Sequence, residues 1–227
     1  MVGATPLPRI SGPADLAAAF EVSRETVERL KIYEALLRRW QRAVNLVAPA
    51  TLSEIWHRHF ADSLQLAAHV PEGARTFADL GSGAGFPGLV LAAHFAGHGS
   101  PRAILVESDQ RKAAFLREAA RAMEISVDIQ STRIESDASL DVLRCVDFVT
   151  ARALAPLPRL FSLVFPFLSP GAACIFLKGR YASREIAEAW EVWSFALETH
   201  PSRTEDAASI LVVRAIQLRS ATDEQSG

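Results

Sequence analysis

The sequence predicts an α/β fold: a Rossmann-like, doubly wound and mostly parallel sheet ending in an antiparallel hairpin, with a helical extension ahead of it. Three observations carry that expectation. From Thr76 onward, short apolar runs alternate with segments of helical period, the pattern of a parallel sheet covered on both faces. A glycine-rich turn follows the first of those runs. The last two runs have no long helix between them, so they pair as a hairpin at the edge.

Residues 1–12 hold two prolines and two glycines and are expected as a loose arm. Asp15 to Phe20 predicts a short helix. Ser23 to Val44 predicts a long one, because Leu30, Tyr33, Leu37, Trp40 and Val44 recur at steps of three and four and share one face. Arg24, Arg29, Arg38, Arg39 and Arg42 fall on its other faces. Thr51 to Val70 is expected as one further helix, closed by Pro71-Glu72-Gly73. The expected organisation is an extension over 1–70, a sheet domain over 71–218 and a polar tail over 219–227. Within the domain, strands are expected at Thr76–Leu80, Arg102–Glu107, Ser126–Gln130, Val146–Thr150, Ala172–Leu177, Phe195–Thr199 and Ser209–Ala215. Helices are expected at Leu89–Phe95, Arg111–Met123, Leu157–Phe167 and Ser183–Trp193.

The turn reads Phe77-Ala78-Asp79-Leu80-Gly81-Ser82-Gly83-Ala84-Gly85-Phe86-Pro87-Gly88. Glycine lets a ligand lie against the main chain, and the following helix points unpaired N–H groups into the same space. Gly83 to Gly88 also satisfies G-x-G-x-x-G, and Glu107 follows where a dinucleotide site requires an acid. Spacing alone leaves two cofactors open. Electrostatics separates them. A dinucleotide brings a pyrophosphate, which the acid Asp79 at the strand end would repel, whereas S-adenosyl-L-methionine brings a sulfonium and an ammonium, which it would attract. Glu107 suits either, since both ligands carry ribose hydroxyls.

The formal net charge of -2 leaves no general basic excess, so any RNA contact needs a local patch. Cys145 and Cys174 form no C-x-x-C and have no histidine cluster beside them. No metal site and no disulfide scaffold are expected, both thiols are expected buried and inert, and a reducing cytoplasm fits. His57 and His59 lie two apart on a helix, hence on different faces, while His59 and Asp62 are three apart and can pair. Asn45 is expected either as a helix C-cap or as a contact to the sheet domain. The uncharged stretch from Leu160 to Leu177 reaches membrane-spanning length, but Pro166, Pro170 and Gly171 divide it into helix, turn and strand.

Several blocks resemble, in order and spacing, the RsmG (GidB) family within the class I methyltransferase fold. They are Arg39-Trp40-Gln41-Arg42-Ala43-Val44-Asn45-Leu46, Arg58-His59-Phe60-Ala61-Asp62-Ser63, the glycine turn ending Phe86-Pro87-Gly88, and Arg111-Lys112-Ala113-Ala114-Phe115-Leu116-Arg117. Arg133-Ile134-Glu135, Ala151-Arg152-Ala153 and Leu177-Lys178-Gly179 continue the series. The resemblance implies methylation of guanine N7 in a conserved loop of bacterial 16S rRNA, with S-adenosyl-L-methionine as donor. It implies 16S rRNA or a small-subunit ribosomal particle as partner, no membrane, no metal and a monomer. It places Gly81 and Phe86 beside the cofactor, Ile134 and Glu135 near the adenine, and Arg152 at the mouth of the site; Gly83 and Gly85 complete the turn, Asp79 is the acid at its start, and Glu107 is expected on the ribose. Arg38, Arg39, Arg42, Arg58, His59 and Lys178 are the RNA candidates.

That chemistry asks little of the side chains. Guanine N7 holds an in-plane lone pair and no proton, so neither a general base nor a covalent intermediate is needed, and Arg152 is expected to position rather than to transfer protons. A C5-pyrimidine enzyme would need a cysteine nucleophile. An adenine-N6 enzyme typically shows N/D-P-P-aromatic where this chain has Thr150-Ala151-Arg152-Ala153-Leu154. The rival readings are a methyltransferase for small molecules or proteins, an NAD-dependent oxidoreductase, and a non-catalytic ribosome-binding module.

Overall fold

The structure is a computed structural model describing residues 6–97 and 101–219. The first five residues of the expected arm and nearly all of the tail 219–227 lie outside the described residues. Seven strands form one sheet in the order β3-β2-β1-β4-β5-β7-β6. They are β1 (Thr76–Leu80), β2 (Arg102–Val106), β3 (Val127–Gln130), β4 (Phe148–Arg152), β5 (Ala173–Lys178), β6 (Trp193–Pro201) and β7 (Ser209–Leu218). The first five run parallel, and β7 is antiparallel to both β5 and β6.

The central strands are apolar at nearly every position because both of their faces are covered. Phe77, Leu105, Phe148 and Ile175 point into one core, and their neighbours Ala78, Ile104, Val149 and Phe176 point into the other. Helices α7 (Leu157–Val164) and α8 (Ala182–Val192) fill the second core. The first is filled by α4 (Gly88–Phe95), α5 (Gln110–Ala122) and the N-terminal helices α1 (Pro13–Phe20) and α2 (Arg24–Trp40). Leu30, Tyr33 and Leu37 of α2 belong to the same apolar cluster as Leu89, Phe115 and Leu116, so the extension shares the core of the domain it precedes. Capping sets the helix starts: Ser23 accepts from the Thr26 amide for α2, and Asp109 accepts from Arg111 and Lys112 for α5.

The structure corrects three sequence expectations. α2 ends at Trp40, short of Val44, and Gln41 rather than Asn45 caps it. The Gln41 side chain then accepts from Leu46 N and Val47 N and donates to the Val47 carbonyl, bracing the turn. The single helix expected over Thr51–Val70 is four pieces: 3₁₀ turns at Pro49–Glu54 and Gln65–His69, a π-helical turn at Trp56–Ala61 and one α-turn, α3, at Asp62–Leu64. α6 (Asp137–Leu143) was not foreseen, because seven residues are too few to show a period; its Ser136 cap is its only local signal. Among the described residues no helix is long and apolar enough to cross a membrane.

Candidate active site

The glycine turn is built from three sides. β1 ends at Leu80, and the Ser82 amide donates to the Val106 carbonyl of β2 at 3.0 Å, tying the turn to the next strand. From above, the buried Tyr33 hydroxyl of α2 donates to the Ala84 carbonyl, and its ring stacks on Phe86 with centroids 5.2 Å apart. From the side, Glu107 Oε2 accepts from the Gly83 amide at 2.8 Å while its Oε1 accepts from Asp109 N at 2.7 Å.

The glycines of the turn serve different ends. A Cβ on Gly85 would lie 2.6 Å from Leu89 Cδ1 and 2.7 Å from the Tyr33 hydroxyl, and one on Gly88 would lie 2.6 Å from Asp79 Oδ2. Those two are required by the protein's own packing. A Cβ on Gly81 would meet Leu154 Cδ1 at 2.6 Å, so the turn touches the loop after β4. A Cβ on Gly83 would meet only the Gly81 carbonyl oxygen at 3.8 Å, which leaves that face open.

Asp79 sits differently from the sequence expectation. It is fully buried, with Oδ1 accepting from Thr150 Oγ1 at 2.8 Å and Oδ2 accepting from Gly88 N at 3.2 Å. Its carboxyl faces the start of α4 and the neighbouring strand, which hold both of its oxygens. Burial pushes its pKa up to about 6, against the opposing pull of these hydrogen bonds. Ile134 is buried as expected for an apolar wall, whereas Glu135 is exposed and paired with Arg159 at 2.7 Å.

Arg152, the last residue of β4, gathers a second cluster. Its Nη1 donates to the Arg58 carbonyl at 3.2 Å and to Asp62 Oδ2 at 3.3 Å, its Nη2 meets His59 Nδ1 at 2.9 Å, and its guanidinium lies 5.2 Å from the Phe86 ring centroid. The widened turn at Trp56–Ala61 is where the Arg58 carbonyl finds this partner outside its own helix. His59 and Asp62, close enough in sequence to pair with each other, both converge on Arg152. Since a guanidinium only donates, His59 Nδ1 is the acceptor, and the proton sits on Nε2, 2.8 Å from Thr51 Oγ1. Burial first, then Arg152 and Arg58, hold the His59 pKa down at about 3. The ring is neutral and stacks on Phe86 with centroids 4.8 Å apart.

This cluster walls a cavity of about 610 Å³ at the carboxyl ends of β4 and β5, where open α/β sheets bind ligands. Leu154, which abuts Gly81, lines the same cavity, so turn and cavity share a wall. Lys178 also lines it, but is 8% exposed, donates to the Ala155 carbonyl at 2.6 Å and pairs with Glu185 at 2.7 Å. That disposes it toward the cavity interior rather than toward a phosphate backbone. Arg58 pairs with Glu205, Arg38 with Glu34 and Arg39 with Glu118, while Arg42 is exposed with no partner among the described residues. His57 binds the Ile10 amide and the Thr204 carbonyl, away from His59. No group of three or more metal-type ligands occurs among the described residues. Cys174 is buried as expected, but Cys145 is exposed, lying in the short connection between α6 and β4.

The profile of one family, described as rRNA small subunit methyltransferase G (GidB), matches residues 26–210, which span the extension, the turn and the sheet. The chain belongs to this family. Methyltransferase G of Rhodospirillum centenum is 50% identical over 205 residues, covering 90% of this chain and 91% of its own length. That of Paramagnetospirillum magneticum is 48% identical, covering 90% and 96%. Among solved structures, an O-methyltransferase from Bacillus cereus in complex with SAH superposes with a TM-score of 0.56 over 82% of this chain and 91% of its own. At 16% identity that likeness establishes the fold alone, the class I methyltransferase architecture. The sequence does not mark Tyr33, Thr51, Thr204 or Glu185 as site residues. Tyr33 shows there only as a core position of α2, and the other three lie far from the turn along the chain.

Proposed function

We propose that the chain transfers a methyl group from S-adenosyl-L-methionine to N7 of a guanine in the 16S rRNA of the small ribosomal subunit, acting as a monomer in the cytoplasm. The observation that carries the reading is the shared wall: a glycine turn with Gly83 standing open, joined through Leu154 and Phe86 to a cavity edged by Arg152. Family membership supplies the rRNA substrate class.

The residues present fit the cofactor. The open face of Gly83 admits a ligand against main chain. Glu107 spends one lone pair on Gly83 and one on Asp109, and a carboxylate has about four, which leaves acceptors for a ribose diol. Ile134 offers an apolar surface for an adenine. When bound, S-adenosyl-L-methionine supplies a sulfonium methyl group, which the N7 lone pair takes as the thioether leaves with the S–C electron pair.

The protein's part is positional. Arg152 is held by two oxygens and one nitrogen of the helical segment, so its guanidinium has a fixed place from which to orient a purine or its phosphate. Neutral His59 and Phe86 give a flat, stacked wall that excludes water beside it. No group in the cavity is needed as a base. Arg42, without a partner among the described residues, and Arg38 and Arg39 before it form the local basic surface for RNA at and just beyond the end of α2.

The test is to map 7-methylguanosine by reduction and aniline cleavage on rRNA from cells with and without the protein. A single protein-dependent cleavage in 16S rRNA is expected. A protein-dependent methyl group on a ring carbon or an exocyclic amine overturns the reading.

A further inference from the structure

We propose that Glu185, with Lys178 beside it, recognises the Watson–Crick edge of the target guanine and thereby sets base specificity; the proposal rests on the guanine-N7 reading above.

Chemistry on N7 leaves one edge of the purine for recognition. N7 must face the methyl donor, so the protein can grip N1–H, the 2-amino group and O6. That edge presents two donors beside one acceptor, and its complement is two acceptors beside one donor. Three carboxylates line the cavity. Asp62 is engaged on both oxygens, Oδ1 accepting from Gln65 Nε2 and Thr204 Oγ1 and Oδ2 from Arg152, the residue assigned above to positioning. Glu205 is 43% exposed and engaged by Arg58. Glu185 is 20% exposed, and both of its contacts, from the Leu157 amide at 2.8 Å and from Lys178 at 2.7 Å, fall on Oε2. Oε1 has no hydrogen-bond partner among the described residues. These two contacts also fix the side chain, so the acceptor is held in place before any base arrives.

Lys178 completes the complement. Its ammonium has three N–H bonds, one given to the Ala155 carbonyl, and is ion-paired with Glu185, which leaves a donor for O6. A carboxylate beside an ammonium therefore offers acceptor and donor in the order that cytosine offers guanine. Adenine, with an N1 acceptor facing the carboxylate, is repelled. The pair also explains why a lysine is kept 8% exposed at the end of β5, where an RNA backbone would not reach it. The cavity, about 610 Å³, has room for a base turned out of its stack.

The experiment uses small subunits reconstituted from 16S rRNA carrying guanosine or inosine at the methylated position. Inosine keeps N7, O6 and N1–H and lacks only the 2-amino group. For the wild-type chain, kcat/KM is expected to fall on the order of 10- to 100-fold with inosine. Glu185→Gln is expected to methylate guanosine more slowly, to bind S-adenosylhomocysteine unchanged by calorimetry, and to show an inosine penalty shrunk toward unity. Glu185→Asp serves the same comparison should the glutamine variant fail to fold. Equal use of guanosine and inosine by the wild type overturns the proposal whatever the variants do. So does an undiminished inosine penalty in a folded variant, and in both cases the N7 reading stands. A wild-type chain that methylates no guanosine N7 rejects that reading and the proposal together.

Discussion

Arg152 Nη2 and His59 Nδ1 lie 2.9 Å apart, and the guanidinium forbids a proton on that nitrogen. The consequence is a signed pH dependence. Free histidine titrates at 6.5 and His59 at about 3, so between those values the unfolded chain binds a proton that the native chain refuses. Stability contributed by neutral His59 is present above pH 6.5 and is lost as pH falls toward 3. Asp79 works the other way. Its pKa rises from 3.8 to about 6, so below pH 6 the native chain holds a proton that the unfolded chain lacks, and this group's contribution to stability grows as pH falls. The two offset each other between about pH 6 and 4. His59→Asn removes one side of that balance. Its unfolding free energy relative to wild type is expected to shift in its favour by about 1.4 kcal/mol per pH unit on acidification. Urea melts across that range measure it, and a constant difference would show that His59 titrates normally.

Gly83 and Gly85 are expected to fail differently. Gly83→Val places its Cβ in open space, so the fold survives with about 1–2 kcal/mol of backbone strain at φ +58, and cofactor binding is lost. Gly85→Val drives a Cβ into Leu89 and Tyr33 and unfolds the turn itself. Circular dichroism and calorimetry with S-adenosylhomocysteine separate the two. Full cofactor affinity in a folded Gly83→Val chain would make the turn purely structural.

The parallel core was legible because its signal is local. Strands covered on both faces must be apolar throughout, and Ile104-Leu105-Val106 and Val149 of β4 show it directly. Glycine spacing likewise marked the turn. What escaped is set by distant partners. In the sequence Asp79 shows only as a charge at a strand end, and nothing there tells that Thr150 and Gly88 bond both of its oxygens. The broken helix over 49–69 has apolar period enough for one rod, and its breaks coincide with bonds to Arg152, Thr204 and Ser202 some ninety to one hundred and forty residues away. The two cysteines look alike in the sequence, yet Cys174 lies in an apolar cluster under the sheet and Cys145 is exposed.

Tyr33 joins the extension to the turn through one buried hydrogen bond to the Ala84 carbonyl. Tyr33→Phe keeps the stacking on Phe86 and leaves that carbonyl short of a partner. A loss of roughly 1–2 kcal/mol in stability is expected, together with weaker S-adenosylhomocysteine binding. If stability falls with no change in affinity, the extension supports the fold but not the turn.

Neither thiol has a place in the chemistry. Burial raises the Cys174 pKa far above the usual thiol range, so it stays protonated, and Cys145 lies outside the residues that line the cavity. Cys145→Ser and Cys174→Ser are expected to keep wild-type methylation rates wherever they fold. In the native chain iodoacetamide should label Cys145 and spare Cys174, as peptide mapping would report. Loss of turnover in a folded Cys174→Ser chain would point to covalent catalysis.

The end of α2 carries three arginines in unequal states. Glu34 engages Arg38 and Glu118 engages Arg39, so part of each charge is already answered within the protein, whereas Arg42 is exposed and unanswered among the described residues. An RNA phosphate meets the full field of Arg42 and must compete for the other two. Arg42→Ala is therefore expected to weaken small-subunit RNA binding most and to flatten the slope of log K against log salt by about 0.7–0.9, one phosphate contact. Arg38→Ala and Arg39→Ala should each cost less, because removing either also frees a carboxylate that repels the backbone. Salt titrations of all three variants decide it. If Arg42→Ala leaves the slope unchanged, the RNA runs over another face of the molecule.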